Sequence, residues 1–367
     1  MRVMHVITRM IIGGAQENTL FNCLDLKQAY GDEVLLVTGP ADGPEGDLLQ
    51  QGRGGGLAVE LIPDLKRAIH PARDYRAYKT LCRLITDFQP DVVHTHSAKG
   101  GMLGRRAAYT QRVPAVLHTV HGAPFHPYQS AVARQLFRGC EKLAAGWCHK
   151  LISVADAMTD LMVDAGVAPR SKFITIYSGM DVQPYLDAHQ HRAAIRRKYQ
   201  FTDDDVVVGK VARLFHLKGH DDLISAAVPV IKANPKVRFL LVGDGILRQS
   251  LQARIDQLGL TRHFVFTGLV PPVEVPGLMA AMDVLVHASL REGLARALPQ
   301  ALIAGRPVIT YDIDGAREVA INDQTGYLVT PGNVAELARR ISQLAGDPAG
   351  RARMGDGGRV RFTDQFR

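Results

Sequence analysis

No run of about 18 consecutive apolar residues occurs in these 367 residues, so no segment reads as a membrane-spanning helix. The opening MRVMHVITRM passes straight into a strand-like stretch and lacks the apolar core of a signal peptide. Cysteine is scarce. The four present, Cys23, Cys82, Cys140 and Cys148, form no C-x-x-C pair and no dense framework, which suits a reduced compartment. Together these absences lead to the expectation of a cytoplasmic protein. Charge of one sign is not concentrated either: the net +8 divides into +4 for residues 1–178 and +4 for the rest, too even for a nucleic-acid-binding arm. Three chemical signatures are also missing. Without G-x-G-x-x-G a nicotinamide-dependent oxidoreductase is disfavoured; without H-E-x-x-H or G-x-S-x-G, so are a zinc helix and a serine nucleophile elbow.

What is present is a rhythm. At 46% apolar composition the chain can bury two cores of ordinary domain size. Short β-rich runs (MHVITRM, EVLLVTG, PDVVHTHS, PAVLHTVHG, HKLISVAD) alternate with helical patterns at 15–29, 70–88, 100–111 and 130–149. The second half repeats this with ITIYSG, VVVGKVARL, RFLLVGDG, HFVFTGL, DVLVHAS, PVITYD and GYLVTP, separated by patterns at 220–233, 246–258, 297–304 and 333–345. Runs apolar on both faces are parallel strands covered by helices, so the fold class is α/β and doubly wound. The boundary falls in YSGMDVQP, residues 177–184, giving domains 1–178 and 179–367. The Gly-rich segment 39–57 reads as a long loop. Residues 66–83 carry Lys66, Arg67, Arg73, Arg76, Lys79 and Arg83 with Asp74 opposing them. They read first as a solvated helix face and second as a contact for an anionic membrane surface.

The richest block is SLREGLARALPQALIAGRPV, residues 289–308. Glu292 can accept from sugar hydroxyls, while the amides of Gly293, Leu294 and Ala295 open a helix toward an anion. Pro299 fits only in that helix's first turn, which starts the helix near Arg296. Arg213 and Lys218 flank the entrance to another helix and together form a clamp for a diphosphate. Gly13 and Gly14 follow the first strand and let a ligand approach the backbone closely. The turn Gly243-Asp244-Gly245 connects a strand to a helix and lines a nucleotide through its backbone. His94 and His96 alternate on one strand and share a face; His118 and His121 read as repeating the pattern on the next strand. A metal site there lacks a carboxylate at ligand spacing, and hydrogen-bonded histidine is the commoner case. His121, in a His-Gly at a strand end, is the one expected to meet a sugar hydroxyl or acceptor. Asp312-Ile313-Asp314 spells a D-x-D, too short a pattern to carry a metal site.

In order along the chain, IIGGAQENTL, DVVHTHSAKGGMLGRRAA, HTVHG, IYSGMD, GKVARLFHLKGHDDLI, LLVGDG, FTGLV and SLREGLARALPQALIAGRPVI resemble the family-4 retaining glycosyltransferases of the GT-B fold. The resemblance implies two Rossmann-like doubly wound parallel-sheet domains facing across a cleft, the first on the acceptor side and the second binding the nucleotide sugar. It makes Arg213 and Lys218 the diphosphate clamp and sets Glu292 on the donor sugar with amides from Gly293, Leu294 and Ala295. It assigns His121 to the reacting sugar, Gly14 to phosphate or acceptor, Lys99 and the Gly100-Gly101 turn to an acceptor-facing loop, and Leu269 to the nucleobase. Two departures stand out. The family's second Glu, which binds ribose, is Gln300 here, and an amide can accept from one hydroxyl and donate to another. The end at RVRFTDQFR is expected to stop short of the family's terminal crossover helix.

The implied reaction moves a sugar from a nucleotide diphosphate sugar, UDP-linked before GDP-mannose, to a hydroxyl acceptor, without metal or other cofactor. THSAKGGMLGRRAA and HTVHG are similar to bacterial members that build surface polysaccharides or lipid-linked glycans, which implies an acceptor of that kind, peripheral contact with the inner membrane face and no nucleic-acid partner. A non-catalytic sugar-nucleotide-binding protein and a GT-B epimerase are the alternative readings.

Overall fold

The computed structural model describes residues 1–41, 46–49 and 55–367. The expected 39–57 loop lies partly outside the described residues. The chain divides into two compact units, Met1–Ser178 and Gly179–Arg367.

Unit 1 is built on a parallel sheet. Its strands are β1 (Arg2–Arg9), β2 (Glu33–Gly39), β3 (Ala58–Leu61), β4 (Val92–His96), β5 (Ala115–Val120), β6 (Lys150–Ser153) and β7 (Phe173–Thr175), in the order β3-β2-β1-β4-β5-β6-β7. Helices α1 (Gly14–Tyr30), α2 (Pro71–Phe88), α3 (Ala98–Thr110), α4 (Ala131–Ala145) and α5 (Asp156–Asp164) connect them. The strand order reverses between β1 and β4, the place where open α/β sheets hold their ligands. Two strands differ from the sequence reading. ITIYSG reads with the second half in the sequence, yet β7 pairs with β6 through Leu151↔Phe173 and closes the first sheet. β3 gives no strand signal in the sequence, because it is an edge strand with little buried apolar surface to reveal a period.

Helix α3 corrects another expectation. Lys99, Gly100 and Gly101 do not form a loop but belong to the first turn of this helix. The reason is packing: a Cβ on Gly100 would stand 2.8 Å from the Thr8 amide nitrogen, and one on Gly101 would stand 2.4 Å from the His118 ring. The glycines let α3 lie against the sheet. A buried ion pair, Arg105 to Glu141 at 2.9 Å, then ties α3 to α4.

Unit 2 repeats the plan with β8 (Val206–Val211), β9 (Val237–Val242), β10 (Phe264–Gly268), β11 (Val284–His287), β12 (Val308–Tyr311) and β13 (Gly326–Val329). The order is β10-β9-β8-β11-β12-β13, again all parallel, and reverses between β8 and β11. The main core lies under α6 (His220–Ala233) and α7 (Val334–Gly346), where Val208, Leu223, Phe239, Val286, Ile309 and Ile341 pack together. A further helix, α8 (Pro348–Phe362), was not expected from the sequence. It packs on unit 2, and the Phe366 carbonyl beyond it accepts from the Met180 amide at 2.8 Å.

Candidate functional site

At the C-terminal end of β11 the chain turns through residues 288–296 into helix α9 (Ala297–Ile303), one residue after the expected Arg296 start and with Pro299 in its first turn. Glu292 is the hub of this turn. Its Oε1 accepts from Lys218 Nζ at 2.6 Å and lies 3.0 Å from His287 Nε2. Its own amide donates to Asp314 Oδ2 at 2.8 Å. Burial alone would raise the Glu292 carboxyl, but the Lys218 ammonium and the His287 hydrogen bond hold it well below the usual carboxylate range. Glu292 is therefore a fixed anion at neutral pH. Gly293 adds a backbone anchor, its carbonyl accepting from the Gly315 amide at 2.9 Å. Leu294 and Ala295 follow in the same turn, and Gln300 is nearly buried on α9.

The loop after β8 brings in the cations. Arg213 sets its guanidinium 5.0 Å from the centre of the Phe215 ring, and its carbonyl lies 3.0 Å from His220 Nε2 at the start of α6. Burial pushes His220 down to about 3, so this ring is neutral and donates. Gly219 then has to be glycine: it adopts φ +67°, and a Cβ would stand 1.7 Å from the Ala288 carbonyl oxygen. That close approach, with the Leu290 amide donating to the Leu217 carbonyl at 2.8 Å, clamps the Lys218 loop to the Glu292 turn. The Gly243-Asp244-Gly245 turn adjoins the same loop, since the Asp244 carbonyl accepts from the Leu214 amide at 2.9 Å. Gly243 also donates to Gly268 at 3.2 Å, which places exposed Leu269 beside that turn. Arg213, Lys218, Gly243, Asp244, Leu269 and Glu292 thus sit on connected backbone. The D-x-D carboxylates part company: Asp312 pairs with Arg317 at 2.9 Å while Asp314 holds the Glu292 amide.

The sequence alone does not disclose two neighbours of this hub. His287 is fully buried by its strand and ends β11 five residues before Glu292. Lys210 is a lone charge within VVVGKV, with no exposed surface and no hydrogen-bond partner for Nζ. An unpaired lysine in an apolar strand was the legible signal. Burial, and then the Lys218 charge, push its ammonium down from 10.5 to about 7. Between those two values the unfolded chain binds a proton that the folded chain does not, so this group makes stability rise with pH across that window. Below about 7 both states are charged and the full burial penalty is present. Lys210→Met is therefore expected to stabilise the fold, by a few kcal/mol (order of magnitude) at pH 6 and less at pH 9. Urea midpoints at the two pH values check this; equal midpoint shifts at both would refute the titration.

In unit 1 Gly13 caps α1 and Gly14 begins it, the Glu17 amide donating to the Gly13 carbonyl at 2.9 Å. Lys99 is occupied by Asp74 at 2.7 Å and by the Ala68 carbonyl. In the basic stretch, Arg76 is bidentate on Asp64 at 2.8 and 2.7 Å. The histidine reading needs one correction. His118 does not share a face with His121: its Nδ1 lies 2.9 Å from Thr95 Oγ1, while His121 Nε2 lies 3.1 Å from His96 Nδ1. The two stand three positions apart, and an alternating strand returns to one face only at even spacing. His5, in register with His94 on β1, joins the group, and ring nitrogens of His5, His94 and His96 lie within 4.8 Å of one another.

Comparison with known proteins gives one consistent result. A model described as "Glycosyl transferase 4-like domain" matches residues 22–179, and one described as "Glycosyl transferases group 1" matches 191–361. An Escherichia coli UDP-Gal:alpha-D-GlcNAc-diphosphoundecaprenol alpha-1,3-galactosyltransferase is 26% identical over 94% of this chain and 88% of its own length. A GDP-mannose-dependent alpha-mannosyltransferase of Mycobacterium tuberculosis is 28% identical over 86% of this chain and 80% of its own. In fold, the chain matches Anabaena HepE in complex with UDP-glucose at a TM-score of 0.81, with 22% identity over 100% of this chain and 95% of that one. The expected GT-B class, two Rossmann-like parallel-sheet domains, is the fold observed.

Proposed function

The chain belongs to the 4-like and group 1 glycosyl transferases, and from that premise we propose that it moves a hexose-type sugar from a nucleotide diphosphate sugar to a hydroxyl acceptor with retained anomeric configuration. The observation that carries this reading is the convergence of Lys218 and His287 on Glu292 Oε1 beside the Arg213 loop. An anchored carboxylate with two cations close by in the fold is a receptor for a sugar attached to a diphosphate. Lys218 uses one of its three N–H donors on Glu292, and the others are available to phosphate oxygens. Arg213 offers a planar fork to the same charge.

In this mechanism the acceptor hydroxyl attacks the anomeric carbon from the face that the diphosphate leaves. The departing phosphate oxygen takes the hydroxyl proton as the carbon–oxygen bond breaks. Arg213 and Lys218 hold the charge that develops on the leaving group, without a metal ion, and Glu292 orients the sugar through its hydroxyls. Gly293, Leu294 and Ala295 lend backbone groups, Gln300 takes the ribose, and Gly243, Asp244 and Leu269 border the base. Unit 1 contributes Gly13, Gly14 and Lys99 as acceptor-side residues and His121 as a residue for a sugar hydroxyl or acceptor. UDP-sugars are the first-choice donors and GDP-mannose the second. The E. coli relative named for a diphosphoundecaprenol substrate supports a lipid-linked acceptor of bacterial glycan synthesis and, with it, peripheral contact with the inner membrane face.

A melting-temperature screen against UDP-, GDP-, ADP- and TDP-sugars tests the donor, because a ligand selective for the native state raises the midpoint. A shift of about 3–6 °C with a UDP-sugar at 100 times its dissociation constant is expected. Binding of UDP with no nucleotide release across an acceptor panel would favour a binding protein instead, and an inverted product anomer would overturn the mechanism.

A further inference from the structure

The proposed transfer gives Lys210 no part, yet this lysine stands among the groups that would hold the diphosphate. It lies two residues after Val208 on β8, hence on the face covered by α6. The side chain has no exposed surface, and Nζ has no hydrogen-bond partner among the described residues. Its neighbour in register on β9, Leu241, is apolar. The charges that act on it are Lys218 from the loop after β8, Asp222 from the first turn of α6 and Glu292 from the turn after β11. Both carboxylates are engaged elsewhere. Glu292 Oε1 takes Lys218 and His287, and Asp222 Oδ2 accepts from the hydroxyl of Tyr311, on β12, at 2.7 Å.

A buried ammonium without an acceptor is unfavourable, and a second ammonium nearby makes it more so. Lys210 escapes by giving up its proton: burial, and then Lys218, hold it at about 7. A diphosphate on Lys218 alters those surroundings. It offsets the Lys218 charge and brings negative charge of its own, and each change favours the ammonium form. The rival proton acceptors are the two imidazoles of the hub. His220 gives its Nε2–H to the Arg213 carbonyl and His287 Nε2 meets Glu292, which leaves each ring a buried Nδ1 without a partner. Burial holds both rings below 6.5, so near pH 8 each lies further from protonation than Lys210.

We propose that Lys210 is a reserve cation of the donor site, uncharged while the site is empty and protonated when a nucleotide diphosphate occupies it, so that donor binding takes up a proton from solvent. Arg213 and Lys218 are permanent cations, and a third permanent one beside them would repel both in the empty site. A neutral amine that charges only when the anion arrives avoids that repulsion and adds its attraction where the diphosphate is held. Affinity for the donor then falls as pH rises through the slightly alkaline range, because the proton must be drawn from a scarcer supply. This deepens the proposed glycosyl transfer and rests on it for the place of the diphosphate against Lys218.

Calorimetry of UDP binding to the full-length protein at pH 8.0, in buffers of different ionisation enthalpy, counts the protons. Wild type is expected to take up about 0.4–0.8 proton per UDP, and its dissociation constant to rise about 3–6-fold from pH 7.5 to pH 8.5. Lys210→Met, which cannot titrate, should take up less than about 0.1 proton and change by less than about 2-fold over the same range. Wild type is decisive by itself, whatever the variant does: UDP binding without proton uptake overturns the inference and leaves glycosyl transfer standing. Equal uptake in folded Lys210→Met also overturns it and assigns the proton to His220 or His287. Failure of both UDP and inorganic pyrophosphate to bind anywhere between pH 6 and pH 9 overturns it as well. Uptake that disappears in Lys210→Met, with no sugar transferred from any donor, would sink the transfer reading and leave the proton linkage in place.

Discussion

Lys218→Ala and Arg213→Ala are each expected to lower kcat by about 10²–10³-fold, the loss that follows removal of one preorganised donor from a developing anion. The diphosphate gains charge as the glycosidic bond breaks, so an interaction with it strengthens toward the transition state and appears in kcat more than in KM. The two losses should not add, because both cations act on one leaving group. Lys218→Arg should recover only part, a planar fork replacing a compact point charge. The variants separate by pH. In Lys218→Ala the Glu292 carboxyl loses the cation that offsets its burial and rises toward the ordinary carboxylate range or above it. The acid limb of the rate profile then moves to higher pH, because activity needs the ionised form. In Arg213→Ala that limb stays where it is. Steady-state nucleotide release from pH 4 to pH 8 measures both effects; near-normal turnover in the two alanine variants would remove the mechanism.

Much of the architecture was legible because parallel strands buried on both faces announce themselves as apolar runs. EVLLVTG and RFLLVGDG became β2 and β9 with little error, and the helix after Glu292 started within a residue of where Pro299 required. The misses have physical causes. β3 is an edge strand with one face in solvent and carries no such run. The Lys99-Gly100-Gly101 segment looked like a turn because glycine usually marks one. Here the missing Cβ serves helix-to-strand contact at Thr8, a tertiary reason that local propensity does not contain. α8 was hidden by its composition, PAGRARMGDGGRVRF, in which glycines weaken the helical signal while permitting close packing.

The site divides along the same line. Arg213, Lys218 and Glu292 could be picked out as charges at strand and helix ends, and the fold connects their backbones. What the sequence could not disclose was the third dimension of two sheets. His287 and Lys210 lie behind Glu292 and Lys218 on buried strands, and both influence the electrostatics of the pair. His5 is 91 residues from His96, and only the register of β1 against β4 brings them together. Even spacing gives the shared face of His94 and His96, whereas the odd spacing of His118 and His121 sends their rings to opposite faces.

Glu292→Gln provides the second large effect and divides two views of the same carboxylate. The amide keeps the shape and can still accept from Lys218 and His287, but it loses the charge that strengthens bonds to sugar hydroxyls. Hydrogen bonds to an ionised group are worth about 1.5–3 kcal/mol, so kcat/KM should fall by about 10–100-fold. Stability should fall too, with a definite pH signature. Glu292 has a folded value below its ordinary 4.5, so its contribution is complete above that pH and disappears as pH drops through the folded value. The gap in urea midpoint between wild type and variant should be constant from pH 8 to pH 6 and close toward pH 3. If instead Glu292 attacked the sugar to form a covalent intermediate, the amide would abolish transfer, by more than about 10⁴-fold. Azide would then rescue it, taking the place of the missing carboxylate and yielding a glycosyl azide of inverted configuration. A loss confined to two powers of ten, with no azide product, marks Glu292 as the residue that orients the sugar and leaves the bond-making to the acceptor and the departing phosphate.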